Sequence, residues 1–188
     1  MNVYENCPVL ESERFLLRLV QKDDCKDLLK VYSDRQAIPL FNSDNCHGDL
    51  FDYQTEERMM QAIDFWIFSY QNRYFVRWTI IDKKTGEGIG TVELFARDAL
   101  EGDGNTALLR LDLRSDYERL NEIKELLLLL RQPACRLFES DSVTTKAVPA
   151  AVERREALDE SGYRESDCLL TGDDGTQYGS YFVCDKHA

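Results

Sequence analysis

Residues Ala107 to Arg131 read ALLRLDLRSDYERLNEIKELLLLLR, and the fold follows from how this stretch divides. Ala107 to Leu113 is apolar and tolerant of extended backbone. Beyond it, Leu120, Ile123, Leu127 and Leu130 recur at the spacing of one helix face. Between the two lies Ser115-Asp116-Tyr117-Glu118, which has the Ser-x-x-Glu form of a capping box. There the serine oxygen accepts from a first-turn N–H, and the glutamate reaches back to the serine N–H. The stretch predicts a strand that turns directly into a long capped helix. A helix start in that setting is where α/β folds hold phosphates, because free N–H groups and the helix dipole favour an anion.

The chain has 188 residues, enough for one domain with a substantial core and hardly enough for two. It is 43% hydrophobic and 31% charged, the balance of a soluble globular protein. Its net charge of −12 excludes nucleic acid and anionic membrane as main partners, since either needs a basic surface. The opening MNVYENCPVLESERF carries no basic-then-apolar leader, and the longest apolar run, Leu126 to Leu130, is far too short to cross a bilayer. A cytoplasmic protein is expected. Cys7, Cys25, Cys46, Cys135, Cys168 and Cys184 are scattered without a Cys-x-x-Cys pair, which suits reduced thiols. His47 and His187 are the two histidines, so no zinc site is expected.

Further signals flank the central stretch. Phe15 to Val20 predicts a strand, followed by a helix carrying Leu28, Leu29, Val31 and Tyr32, with Asp23 and Asp24 at its positive end. Ala37 to Tyr53 predicts an irregular loop of binding-site length. Thr55 to Gln71 predicts a second helix whose stripe is Met59, Ile63, Trp66, Ile67 and Tyr70. Tyr74 to Asp82 and Gly88 to Phe95 flank a turn and predict a hairpin. The acidic turn 101–105 lacks the twelve-position calcium pattern and reads as solvated. Pro133 is expected to break or kink the long helix. Ser142 to Val148 predicts a strand, and Ala151 to Glu160 a last helix ended by Gly162. Glu165 to Leu170 and Tyr178 to Cys184 predict a closing hairpin. The order is β-α-α-β-β-β-α-β-α-β-β in one mixed α/β domain.

That order, together with Glu13-Arg14-Phe15-Leu16-Leu17-Arg18, Asp23-Asp24, the Trp78 to Thr91 hairpin and Gly162-Tyr163, resembles the GNAT superfamily of N-acetyltransferases. The branch it is most similar to acetylates ribosomal-protein N-termini (RimJ/RimL-like). The resemblance implies an α/β (α+β) domain with a twisted, mostly antiparallel mixed sheet and helices on both faces. It also implies acetyl-CoA in a splay between two parallel strands, its pyrophosphate on the N–H groups that open the central helix. The family signature at that helix start is Gln/Arg-x-x-Gly-x-Gly/Ala, which falls on Glu118 to Ile123. Glu118, Asn121 and Ile123 depart from it at all three diagnostic positions. Asp116, Glu118 and Glu122 add negative charge where a pyrophosphate would lie. One unit charge pair at 4 Å is worth roughly 1 kcal/mol in water and about 4 kcal/mol at an effective dielectric of 20. Arg114, Arg119 and Lys124 offset part of that repulsion.

If acetyl-CoA binds, the cofactor-binding candidates are Leu113, Arg114, Arg119, Asn121 and Lys124. The family's asparagine and acid tyrosine on the last helix fall on Ala151 and Leu158, which removes that proton donor. Acyl transfer to an amine needs a base. Glu93 is the first candidate, set in an apolar strand where burial would raise its pKa, against a plain solvated position. Asp112 is the second, against a surface pair with Arg110. Tyr117 is a candidate acid or pantetheine contact, against simple packing at the helix entry. Phe65, Trp66, Phe68, Tyr70, Tyr74, Phe75 and Trp78 either line an acceptor pocket or form core. Arg154 and Arg155 either meet a phosphate or pair with Glu153 and Glu156 on a solvated helix face.

Two main readings remain open. One is an acetyl-CoA-dependent N-acetyltransferase acting by direct attack of a primary amine, with a small-molecule amine or a peptide N-terminus as acceptor. The other is a non-catalytic GNAT-fold binding or assembly module whose cleft is lost. A third is a cleft that takes a less anionic ligand. The family commonly forms homodimers, which the residues themselves leave open.

Overall fold

The computed structural model describes residues 2–186, so His187 lies outside the described residues. An eight-stranded sheet forms the middle of the molecule. In chain order its strands are β1 (Leu10–Glu11), β2 (Phe15–Leu19), β3 (Val76–Asp82), β4 (Gly88–Asp98), β5 (Asn105–Leu113), β6 (Ser142–Lys146), β7 (Arg164–Glu165) and β10 (Tyr181–Asp185). A separate pair, β8 (Leu170–Thr171) and β9 (Gln177–Tyr178), lies outside the sheet. The spatial order is β1-β2-β3-β4-β5-β6-β10-β7, and every pairing is antiparallel except the parallel β5–β6. The helices are α1 (Cys25–Tyr32), α2 (Glu56–Gln71), α3 (Leu120–Leu137) and α4 (Val152–Glu160).

Strand alternation sends the side chains of β3, β4 and β5 to two buried layers. Val76, Trp78, Ile80, Val92, Leu94, Leu109, Leu111 and Leu113 share an apolar core with α3 and α4. The other face receives α1 and α2, whose Leu28, Val31, Tyr32, Met59, Ile63 and Trp66 form a second core. Helices on both faces thus cover a mostly antiparallel sheet, as expected. Gly90 lets β4 lie against β5 at its tightest point, because a Cβ there would stand 2.2 Å from the Asp112 carbonyl oxygen.

Several local expectations are corrected. Ser115 and Glu118 form no capping box: Ser115–Tyr117 is a single 3-10 turn, and α3 begins only at Leu120, with Arg119 as its N-cap. Pro133 neither breaks nor ends α3, which runs on to Leu137 because Leu130, Ala134 and Leu137 remain in the core on either side of it. The closing hairpin does form, as two short antiparallel pairings with Leu170 opposite Tyr178 and Glu165 opposite Phe182. β10 pairs with β6 and β7, while the acidic turn 172–175 joins the small β8–β9 pair. The loop between α1 and α2 is irregular apart from a 3-10 turn at Ile38–Leu40.

Candidate functional site

Register places one charged residue beside another across three strands. Arg77 on β3 faces Glu93 on β4, Glu93 faces Arg110 on β5, and Thr91 faces Asp112. All lie under α1 and α2. Arg77 Nη2 donates to Glu93 Oε2 at 2.5 Å and Arg110 Nη1 to Glu93 Oε1 at 2.8 Å. Arg77 Nη1 also reaches Asp112 Oδ2 at 3.3 Å, and the Tyr32 hydroxyl donates to the same oxygen at 2.8 Å. Glu93 is only 2% exposed and Asp112 fully buried, so neither is the solvated position or surface pair that alternation alone allowed. The helices above them make the difference.

The two carboxyls diverge in acidity. Burial pushes Glu93 up, but the Arg77 and Arg110 guanidiniums outweigh it and hold the carboxyl below its ordinary range, opposite to the rise expected from burial alone. Asp112 goes the other way, because burial dominates the pull of Arg77 and the Tyr32 hydrogen bond.

Beside this cluster opens a cavity of about 720 Å³. Trp66, Phe75, Phe51 and Tyr53 form its walls, Arg77, Glu93 and Arg110 its floor, and Phe65 and Tyr74 its mouth. Four of the aromatics proposed for an acceptor pocket (Phe65, Trp66, Tyr74 and Phe75) line this cavity. Trp78 and Tyr70 instead pack with the α3 core, and Phe68 stacks outside on Tyr74. The α1–α2 loop closes the cavity's side in a strained form, with Asn45, His47 and Phe51 at φ +56°, +52° and +58°. For bulky Phe51 such a conformation persists only when its surroundings hold it. Asp49 supplies part of that hold, accepting from the Phe51 N–H, the Tyr53 hydroxyl and Arg58. Asp44 supplies the rest, gripping Lys146 on β6 at 2.5 Å and the Tyr181 hydroxyl at 2.9 Å.

The opposite end of β5 carries the second feature. β5 and β6 pair only from Thr106–Ser142 to Leu109–Thr145, after which the strands separate. Arg154 from α4 fills the gap. Its Nη1 donates to the Leu111 carbonyl at 2.7 Å, and its Nε and Nη2 grip the Glu118 carboxylate at 2.5 and 2.8 Å. Arg154 is 3% exposed, so the solvated face expected for it is corrected: α3 and the β5 end bury it. At the start of α3, the Leu120 N–H donates to Glu153 Oε2 at 2.7 Å, and the Ser115 N–H is held by Asp34 at 2.9 Å.

The proposed cofactor residues are dispersed around this end. Leu113 is core, Arg114 pairs with Asp116, Lys124 pairs with Glu160, and Asn121 points to solvent. Arg119 alone borders the hollow of about 300 Å³ left between Glu118 and Glu153. Tyr117 donates to Asp82 at 3.0 Å and packs in the core, with its hydroxyl pKa raised mainly by burial. Ala151 and Leu158 are buried. Among the described residues no His, Cys, Asp and Glu side chains gather as a metal site. Sequence reasoning missed Arg77, Tyr32 and Asp44. Charges at alternate positions in three consecutive strands were the available signal for the first.

β5 and β6 thus part beside the start of α3. The acetyltransferase (GNAT) domain model matches residues 14–164. The chain belongs to the GNAT acetyltransferase family. Solved GNAT structures share its fold at low identity. An acetyltransferase of the family from Bacillus anthracis superposes with a TM-score of 0.71 at 10% identity, covering 96% of this chain and 100% of its own. The ribosomal-protein-S5-alanine acetyltransferase of Vibrio fischeri gives 0.69 at 13%, covering 95% and 97%. RimL, a ribosomal L7/L12 alpha-N-protein acetyltransferase solved with coenzyme A, gives 0.68 at 11%, covering 95% and 98%. No curated protein matches the chain by sequence.

GNAT enzymes use acetyl-CoA, and the residues at the corresponding place here do not fit it. The bare β5 edge that would receive pantetheine has its Leu111 carbonyl taken by Arg154. The first N–H of α3, which would face a pyrophosphate, is taken by the Glu153 carboxylate, with Glu118 close by. An internal guanidinium and an internal carboxylate hold the strand carbonyl and the helix N–H that the family resemblance assigns to acetyl-CoA.

Proposed function

We propose that this GNAT-family chain is a non-catalytic binding module whose cofactor cleft is filled by its own side chains. The observation that carries the reading is the buried Arg154, bonded at once to the Leu111 carbonyl and the Glu118 carboxylate. Displacing it would leave an unpaired buried charge, a cost of several kcal/mol before any cofactor contact is made. The candidate catalytic groups weigh the same way. Glu93, kept ionised by two guanidiniums, is a weak base for an ammonium, since an effective base titrates near the working pH. Asp112 is sealed under Tyr32, and Tyr117 is spent on Asp82. The alternative, acetyl transfer to a small amine or a peptide N-terminus, rests on family membership. No helix of the described residues is long and apolar enough to cross a membrane. The six cysteines are free thiols, which suits work in the reducing cytoplasm.

Calorimetric titration with acetyl-CoA at low salt tests this. No saturable heat, and no rise in Tm at millimolar cofactor, is expected. Binding in the micromolar range would overturn the reading and restore the acetyltransferase.

A further inference from the structure

We infer that the aromatic cavity under α1 and α2 binds a monocarboxylic acid with an aromatic or branched apolar body, its carboxylate held at the Arg77–Arg110 floor. The inference rests on the binding-module reading for its context, yet concerns the opposite face of the sheet from Arg154. The cavity has the volume of a small-molecule site, and its wall is largely aromatic. Such a wall selects a flat or branched apolar body, and the polar floor selects what that body carries.

The floor has donors to spare and no free acceptor. Both Glu93 oxygens are occupied, one by each arginine. The Asp49 carboxylate in the wall is spent on Phe51, Tyr53 and Arg58. An ammonium entering the cavity would meet two guanidiniums and no unoccupied carboxylate on the floor. By contrast, the Nε–H groups of Arg77 and Arg110 are both buried without an acceptor, although Arg77 is 1% exposed and both side chains line the cavity. Buried donors of this kind are costly, and an anionic oxygen would satisfy them. Arg77 is held flat by the Trp66 ring, its Cζ 4.2 Å from the ring centroid, so its donors are fixed in advance of binding. Asp112 lies beneath the floor, outside the cavity lining, with Oδ2 on Tyr32 and Arg77 and Oδ1 buried without a partner. At the mouth, Asp173 presents a carboxylate and His47 an imidazole. The acid at the entrance disfavours phosphates and dicarboxylates, so the ligand carries a single negative charge.

The same chemistry comes from two sources, a free acid or the C-terminal carboxylate of a peptide ending in an aromatic residue. The full chain is titrated with 3-phenylpropionate, its primary amide and phenethylamine, read by tryptophan fluorescence and calorimetry. Ala-Ala-Ala-Phe with a free and with an amidated C-terminus distinguishes the sources. The expected result is saturable binding of a free carboxylate about tenfold or more tighter than its amide, as one charge-assisted bond pair predicts, with the amine weakest. Arg110→Gln should remove that preference. If it fails to fold, Phe65→Ala at the exposed mouth should weaken the acid while leaving Tm unchanged. Equal binding of acid and amide, preference for the amine, or no binding of any probe at millimolar concentration would overturn the inference. Acetyl-CoA titrated in parallel keeps the two readings separate. Acetyl-CoA binding with acid binding intact sinks only the closed cleft, and neither ligand binding sinks only this inference.

Discussion

Arg154 and Glu118 meet as a fork and a carboxylate, Nε to Oε1 at 2.5 Å and Nη2 to Oε2 at 2.8 Å, where β5 and β6 part. Most ion pairs of so charged a chain have an exposed or half-buried partner, but this pair is buried on both sides, and Arg154 is also bonded to strand backbone. It ties α4, the turn before α3 and the free end of β5 into one unit. The pair is part of the folding core, so breaking it is read directly in the stability of the domain.

Removing one partner should therefore be expensive. Arg154→Ala leaves Glu118 buried and unpaired, and is expected to lower stability by about 3–5 kcal/mol in urea denaturation. Arg154→Met combined with Glu118→Leu should recover most of that loss. A single-variant loss below about 1 kcal/mol would show that the pair is peripheral.

Glu93 and Asp112 should give opposite pH signatures. The Glu93 carboxyl is held below its ordinary value of 4.5, so its contribution is full above that pH and fades as pH falls through the lower folded value. Glu93→Gln is thus most damaging at neutral pH, and its deficit shrinks in acid. The Asp112 carboxyl is raised above its ordinary 3.8, so its contribution is present below that pH and is lost as pH rises through the folded value. Asp112→Asn should gain on the wild type as pH rises. Unfolding free energies from pH 3 to pH 8 check both signs, and parallel curves for the two variants would contradict them.

Gly90 tests the strand register that builds the floor. A Cβ there meets the Asp112 carbonyl oxygen at 2.2 Å, backbone that cannot swing aside. Gly90→Ala should cost about 3 kcal/mol or prevent folding. Gly86→Ala, at φ +74° in an open turn, should cost only about 1–2 kcal/mol. Similar Tm losses for the two would show that β4 and β5 are less closely pressed.

Asp44 tests the loop. Asp44→Ala releases the contacts to Lys146 and Tyr181 while leaving every sheet pairing in place. Hydrogen exchange should quicken across residues 41–53 and stay slow in β3, β4 and β5. Unchanged exchange in the loop would mean that Phe51 and Tyr53 hold it alone.

Most elements were legible because their signals are local. Thr55 caps α2 where the spacing of Met59, Ile63 and Trp66 begins, and the Asp82–Gly88 turn joins β3 to β4 as composition predicts. Ser115 and Glu118 misled for a non-local reason: Asp34 and Arg154 bind them, and both come from elsewhere in the chain. Pro133 misled likewise, because core contacts on either side of it outweigh one missing hydrogen bond.

The sequence by itself determined the α/β order and the family, and the resemblance placed departures from the cofactor signature on Glu118, Asn121 and Ile123. These are properties of residue type and spacing along the chain. Only the tertiary structure decided that Arg154 fills the splay, that Glu93 is clamped between two arginines, and that Phe51, Trp66 and Phe75 surround a cavity. Burial and charge pairing depend on which residues, distant in sequence, the folded sheet and its helices bring within a few ångströms, and low dielectric inside then turns those contacts into large energies.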